Sequence, residues 1–137
     1  MKKIKVVHII TKLELGGAQE NTLYTVSNLD KEKFEVYLIC GEGGILDNKA
    51  VDLSIKNGFK LYFIKDLIRE INPRKDFIAL KNLVIKLEEI QPDIIHTHSS
   101  KAGILGRIAG YFYNLSCDDD VKNKTKIIHT FHGFGFN

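Results

Sequence analysis

The chain has 137 residues, 44% of them apolar and 27% charged, with 20 basic against 17 acidic side chains and a net charge of +3. This is ordinary for one globular domain; it excludes disordered, collagen-like and low-complexity classes, and its charge is too mild for a nucleic-acid binder. Two isolated cysteines give no disulfide framework and suit a reducing, cytoplasmic compartment, and no apolar run reaches the roughly 18 residues of a membrane span.

The pattern alternates strand and helix from the start. Ile4 to Ile10 is a β-branched apolar run of buried-strand length, and the chain then turns on Gly16-Gly17. Ala18 to Leu29 has helical spacing, and Phe34 to Cys40 predicts a second strand. Gly41 to Gly44 is a loop, Asp47 to Asn57 a helix stopped by Gly58, and Lys60 to Ile64 a third strand. Asn72-Pro73 marks the start of a helix that ends before Pro92, since asparagine caps and proline suits the first helical position. Ile94 to Thr97 is a fourth strand. Ser99 or Ser100 then caps a helix running to about Asn114. Leu115 to Lys126, with Asp118-Asp119-Asp120, predicts a solvated loop, and Lys126 to Phe131 a fifth strand.

Strands alternating with helices over short links argue for an α/β fold, a Rossmann-like three-layer sandwich on a parallel sheet. Right-handed crossovers leave the order 3-2-1-4-5 as the expectation and 2-1-3-4-5 as its alternative. The first order puts the ends of strands 1 and 4 at a switch point, where such sheets bind ligands.

The chemistry-bearing residues gather after those strand ends. Gly16-Gly17 before a helix lets a ligand approach the backbone, and the helix start favours an anion. Gln19 belongs to the same turn, but Gly-x-Gly-x-x-Gly is missing, so Glu42 is a weak candidate for a ribose contact. Ser99-Ser100-Lys101 offers amides, hydroxyls and a cation at a helix start; it suits a phosphate, or plain capping with a solvated lysine. Of the five histidines, His8, His96 and His129 read as buried and satisfied. His98 and His132 read as loop residues able to handle a proton or touch substrate. A metal reading would join His98, His132 and a carboxylate, and no paired helical histidines or cysteines support it.

Taken together, Gly16-Gly17-Ala18-Gln19, the run from Pro92 to Gly103 with Gly106-Arg107, and Ile128 to Phe134 resemble the N-terminal domain of a family 4 glycosyltransferase of GT-B architecture. The resemblance covers essentially the whole chain and is similar to bacterial enzymes that build capsule, exopolysaccharide or lipopolysaccharide. It implies an acceptor-side domain facing a second, donor-side domain that carries Glu-x7-Glu and is absent from these residues. It also implies transfer from a nucleotide-sugar to a glycan or lipid-linked acceptor, with retention and with no metal or other cofactor.

Under that resemblance Gly16 and Gly17 approach the donor diphosphate, and His132, beside Gly133, sits near the reacting sugar. His98, Ser99, Ser100 and Lys101 line the acceptor side. The chain alone is expected not to catalyse transfer. Exposed Phe131, Phe134 and Phe136 are expected to favour a homodimer. Lys2, Lys3, Lys5 and Lys12 suggest peripheral contact with the inner face of the plasma membrane, a solvated set of lysines being the plainer reading. A nucleotide-sugar epimerase half and a non-enzymatic anion-binding module are the alternatives.

Overall fold

The computed structural model describes residues 2–117 and 124–131. The elements run β1 (Ile4–Lys12), α1 (Gly17–Asn28), β2 (Phe34–Gly41), α2 (Asp47–Asn57), β3 (Lys60–Ile64), α3 (Pro73–Ile90), β4 (Ile94–His98), α4 (Ser100–Ser116) and β5 (Lys126–Thr130). All four strand pairings are parallel and the order is β3-β2-β1-β4-β5, the expected one. The direction reverses between β1 and β4, which are neighbours in space although 80-odd residues apart in sequence.

Alternation along β1 divides the core. Val7 and Ile9 face α3 and α4, joining Ile39, Leu83, Leu87, Ile95 and Leu105. Val6 and Ile10 face α1 and α2, joining Leu23, Val26, Leu38 and Phe59. Period-two side-chain placement on a sheet covered by helices on both faces requires such near-continuous apolar strands.

Helix α3 is the best-capped element. Asn72 accepts from the Lys75 amide at 3.1 Å, and Asp76 accepts from the Asn72 amide at 3.3 Å. Pro73 occupies the first helical position, where its missing N–H costs nothing.

Helix α4 packs close to the sheet through Ala102, Gly103, Gly106, Ala109 and Gly110. A Cβ on Gly103 would lie 2.4 Å from the His129 ring, so only glycine lets the helix pass over that imidazole. The helix outruns the expected end by two residues. Leu115 and Ser116 are helical because Tyr113 is buried against the sheet and the Asn114 amide clamps Thr125 through two bonds of 3.0 and 2.9 Å. Asp118-Asp119-Asp120 lies outside the described residues.

Candidate functional site

The sheet order brings the β1–α1 turn and the β4–α4 turn to one edge. A cavity of about 680 Å³ opens there, lined by Thr11, Lys12, Leu15 and Gln19 from the first turn and by Ser99, Ser100 and Lys101 from the second. Arg69 and Asp76, from the segment around the start of α3, complete it.

The first turn is anchored at its base, where the Leu13 carbonyl accepts from the Leu46 amide at 2.8 Å, and open at its tip. Gly16 caps α1 with no side-chain bond, and Leu15 stands exposed. The Gln19 amide reaches back to the Lys12 carbonyl at only 3.4 Å. A Cβ on Gly17 would meet nothing within 4 Å, so packing does not require glycine there. The first-turn amides of α1 are thus left without a cap, the arrangement that attracts an anion.

The second turn is held from several sides. Ser99 takes φ 65° and ψ 165°, a region nearly reserved for glycine that costs on the order of 1–3 kcal/mol. Its hydroxyl bonds the Thr11 hydroxyl at 2.8 Å instead of capping its own helix. The capping role expected of serine falls to Thr11, whose oxygen accepts from the Ala102 amide at 3.2 Å. Lys101 pairs with Asp76 at 2.5 Å and donates to the Glu70 carbonyl. Its charge therefore ties α4 to the start of α3. Arg69, much more exposed, holds Glu14 loosely at 3.7 Å.

Histidines dominate the sheet beneath the second turn. His8 and His96 are register partners on β1 and β4, and His98 lies two residues on, so all three share one face. The strand reaches His98, which is 3% exposed and not a lining residue of the cavity. His8 Nδ1 and His98 Nε2 lie 2.9 Å apart in a hydrogen bond. The His96 ring stacks on His98 with centroids 4.3 Å apart and bonds Thr130 through Nε2. Burial, and then the neighbouring His96, lowers the His8 pKa from 6.5 to about 3, so this imidazole stays neutral near pH 7. His129 lies on the other face, bonded to Thr97 at 2.8 Å under Gly103.

One nitrogen from each of His8, His96 and His98 lies within 4.8 Å of the others. This corrects the expectation of no metal: the described residues hold a three-imidazole cluster with the donor set for an ion. Among the described residues His98 joins His8 and His96, because parallel pairing of β1 with β4 stacks these positions; His132, the other histidine of the set considered from sequence, lies outside them.

Of the residues singled out in the sequence, Gln19, Ser99, Ser100 and Lys101 meet at the cavity, and Gly16-Gly17 opens the helix beside it. Glu42 is not among its lining residues. His132 and Gly133 lie outside the described residues, as do Phe134 and Phe136. Thr11 and Asp76 were missed. A hydroxyl at the end of a buried strand was a usable signal for Thr11, whereas nothing local marks Asp76 as the partner of a lysine 25 positions away.

Residues 15–136 match the family described as Glycosyltransferase Family 4. The chain is 37% identical over 134 residues to the UDP-Gal:alpha-D-GlcNAc-diphosphoundecaprenol alpha-1,3-galactosyltransferase of Escherichia coli, covering 98% of this chain and 31% of that protein. It is 32% identical over 111 residues to the O-antigen biosynthesis glycosyltransferase WbnH of Escherichia coli, covering 80% and 29%. A glycosyltransferase structure from Rickettsia africae superposes with a TM-score of 0.69 at 18% identity, over 100% of this chain and 31% of that one, a likeness of fold. The chain thus spans about a third of the length of the curated relatives it matches.

Proposed function

This chain belongs to glycosyltransferase family 4, and from that premise we propose that it is the acceptor-side half of an enzyme of cell-surface polysaccharide assembly. The enzyme moves a sugar from a nucleotide-sugar donor to a glycan or lipid-linked acceptor, with retention. The observation that carries the reading is near-complete coverage of the chain by a galactosyltransferase relative, joined to a cavity between two helix starts at the switch point.

In this reading a second domain holds the donor and closes over the cavity. The uncapped start of α1 at Gly16-Gly17 then meets the donor diphosphate, where amides stabilise the charge that develops as it leaves. Gln19, Ser99 and Ser100 contact the acceptor. Lys101, neutralised by Asp76, positions α4, and the freer cations Lys12 and Arg69 face the phosphates. His98 supports the second turn from below, and His132, next to Gly133, serves the reacting sugar. Closure excludes water and spares the donor from hydrolysis.

The test is equilibrium binding followed by amide NMR, with a short-prenyl diphosphate-linked GlcNAc as the acceptor mimic and a UDP-sugar as donor. The mimic is expected to saturate and to shift Gln19, Ser100 and Lys101, while the UDP-sugar binds weakly and the chain alone forms no product. Saturation by the UDP-sugar with no response to the mimic would assign the cavity to the donor and overturn the reading.

The proposal extends to peripheral contact with the inner face of the plasma membrane and to self-association through Phe131, which is 72% exposed. No helix among the described residues is long and apolar enough to cross a membrane. Lys5 is bonded to the Ile90 carbonyl at 2.9 Å and Lys12 lines the cavity, which leaves Lys2 and Lys3 for anionic lipid. Flotation with anionic vesicles at low salt, and sedimentation at high concentration, measure the two contacts.

A further inference from the structure

We infer that His8, His96 and His98 form a binding site for a first-row divalent cation of the zinc type, set in the sheet beneath the β4–α4 turn. The argument is geometric. Zinc–imidazole bonds of about 2.0–2.1 Å put neighbouring nitrogens of a tetrahedral site about 3.3 Å apart. His8 Nδ1 and His98 Nε2 are already 2.9 Å apart, and the whole set falls within 4.8 Å. Closing that geometry moves the outermost nitrogen by roughly 1.5 Å and turns the His96 ring out of its stack on His98.

The scaffold favours convergence. Two ligands come from one strand at i and i+2, and the third is the register partner of the first on the adjacent strand. All three therefore project from one side of two hydrogen-bonded strands, with no loop to order on binding.

The donor chemistry selects the ion. Three imidazoles, with no thiolate or carboxylate beside them among the described residues, suit Zn²⁺, Co²⁺, Ni²⁺ or Cu²⁺ and are poor ligands for Mg²⁺ or Ca²⁺. His8 and His98 are buried, whereas His96 is only partly covered and neighbouring Ile128 on β5 is exposed. Binding replaces the His8–His98 hydrogen bond. For both nitrogens to ligate, the ring that donates in it moves its proton to its other nitrogen.

The ion would cross-link β1 to β4 directly under the strained Ser99 turn. Its role is to stiffen the acceptor-side edge rather than to meet the transferred sugar.

The test is Co²⁺ titration of the chelator-treated chain, read by visible d–d absorption and by paramagnetic shifts of the histidine ring resonances. One Co²⁺ per chain is expected, displaced by Zn²⁺ and not by Mg²⁺, with shifts confined to His8, His96 and His98. His96→Gln, at the partly exposed position, is expected to weaken binding at least tenfold while circular dichroism stays native; Cys117→Ser is expected to bind as before. Absence of uptake, shifts centred on His129, or unchanged affinity in His96→Gln would each overturn the site. The ring shifts of the unaltered chain decide the matter even where a variant fails to fold.

Discussion

The two turns at the switch point have opposite construction. The β1–α1 turn is bonded at its base, where the Leu13 carbonyl accepts from the Leu46 amide at 2.8 Å, but its tip has two glycines, an uncapped helix start and a long side-chain bond from Gln19. The β4–α4 turn has a strained serine, a cap supplied by another strand, an ion pair to a third helix and a histidine pair beneath it. Both border one cavity. The difference teaches that a site can set rigid and open walls side by side. A wall that orients an acceptor gains from immobility, since misplacement of reacting groups is costly. A wall that receives a diphosphate gains from bare backbone amides.

The largest expected effect acts on the rigid wall through pH. The folded-state pKa of His8 lies near 3, below its ordinary value of 6.5. The unfolded chain therefore takes up a proton first as the solution is acidified. The contribution is intact above pH 6.5 and is lost progressively between 6.5 and about 3, at up to about 1.4 kcal/mol per unit. Urea melts in chelator at pH 7, 5.5 and 4.5 measure it, and a flatter slope in His8→Asn assigns it to this residue.

Gly103→Val forces a side chain into the His129 ring, which Thr97 pins, and is expected to cost about 1–3 kcal/mol. Chemical denaturation gives the number, and a neutral result would mean that α4 lifts from the sheet at little cost. Thr11→Val keeps the shape but strands the Ala102 amide and the Ser99 hydroxyl, for a loss of about 1–3 kcal/mol. Hydrogen exchange at Ala102 should accelerate in step with it. Lys101→Met leaves the partly buried Asp76 without its cation and is expected to cost about 1–2 kcal/mol, read as a lowered Tm.

The smallest effect runs the other way. Gly17→Ala meets no neighbour and improves helix propensity, so the fold should gain about 0.5–1 kcal/mol. On the proposed function, the same change in a protein that also carries the donor-side domain should weaken donor use. A variant that gains stability and keeps full donor use would remove the open wall from the comparison.

Much of this was legible in the sequence because the signals are local. Apolar runs of strand length alternated with helical spacing, and the Asn72-Pro73 start and the Gly58 stop are one-turn signals. The switch point followed from strand order; right-handed crossovers narrowed that order to two, and the structure has the first of them. Gly16-Gly17 and Ser99-Ser100-Lys101 stood out because they fell at strand ends. The same local reading assigned Ser99 to its own helix and placed His98 on a loop. It could not see that Thr11, 88 residues earlier, would take the Ser99 hydroxyl. Nor could it see that one more strand residue would carry His98 into the interior.

The sequence by itself determined the layers, the order of the elements and the edge of the sheet where chemistry gathers. Periodicity and chain connectivity act over a few residues at a time and require no knowledge of distant partners. Only the tertiary structure decided that His8, His96 and His98 meet, that Lys101 is spent on Asp76, and that Thr11 caps a helix begun by another strand. Those contacts depend on the register of β1 against β4 and on the approach of α4 to α3. Register is settled by packing the whole core on both faces of the sheet at once, a sum no short segment contains.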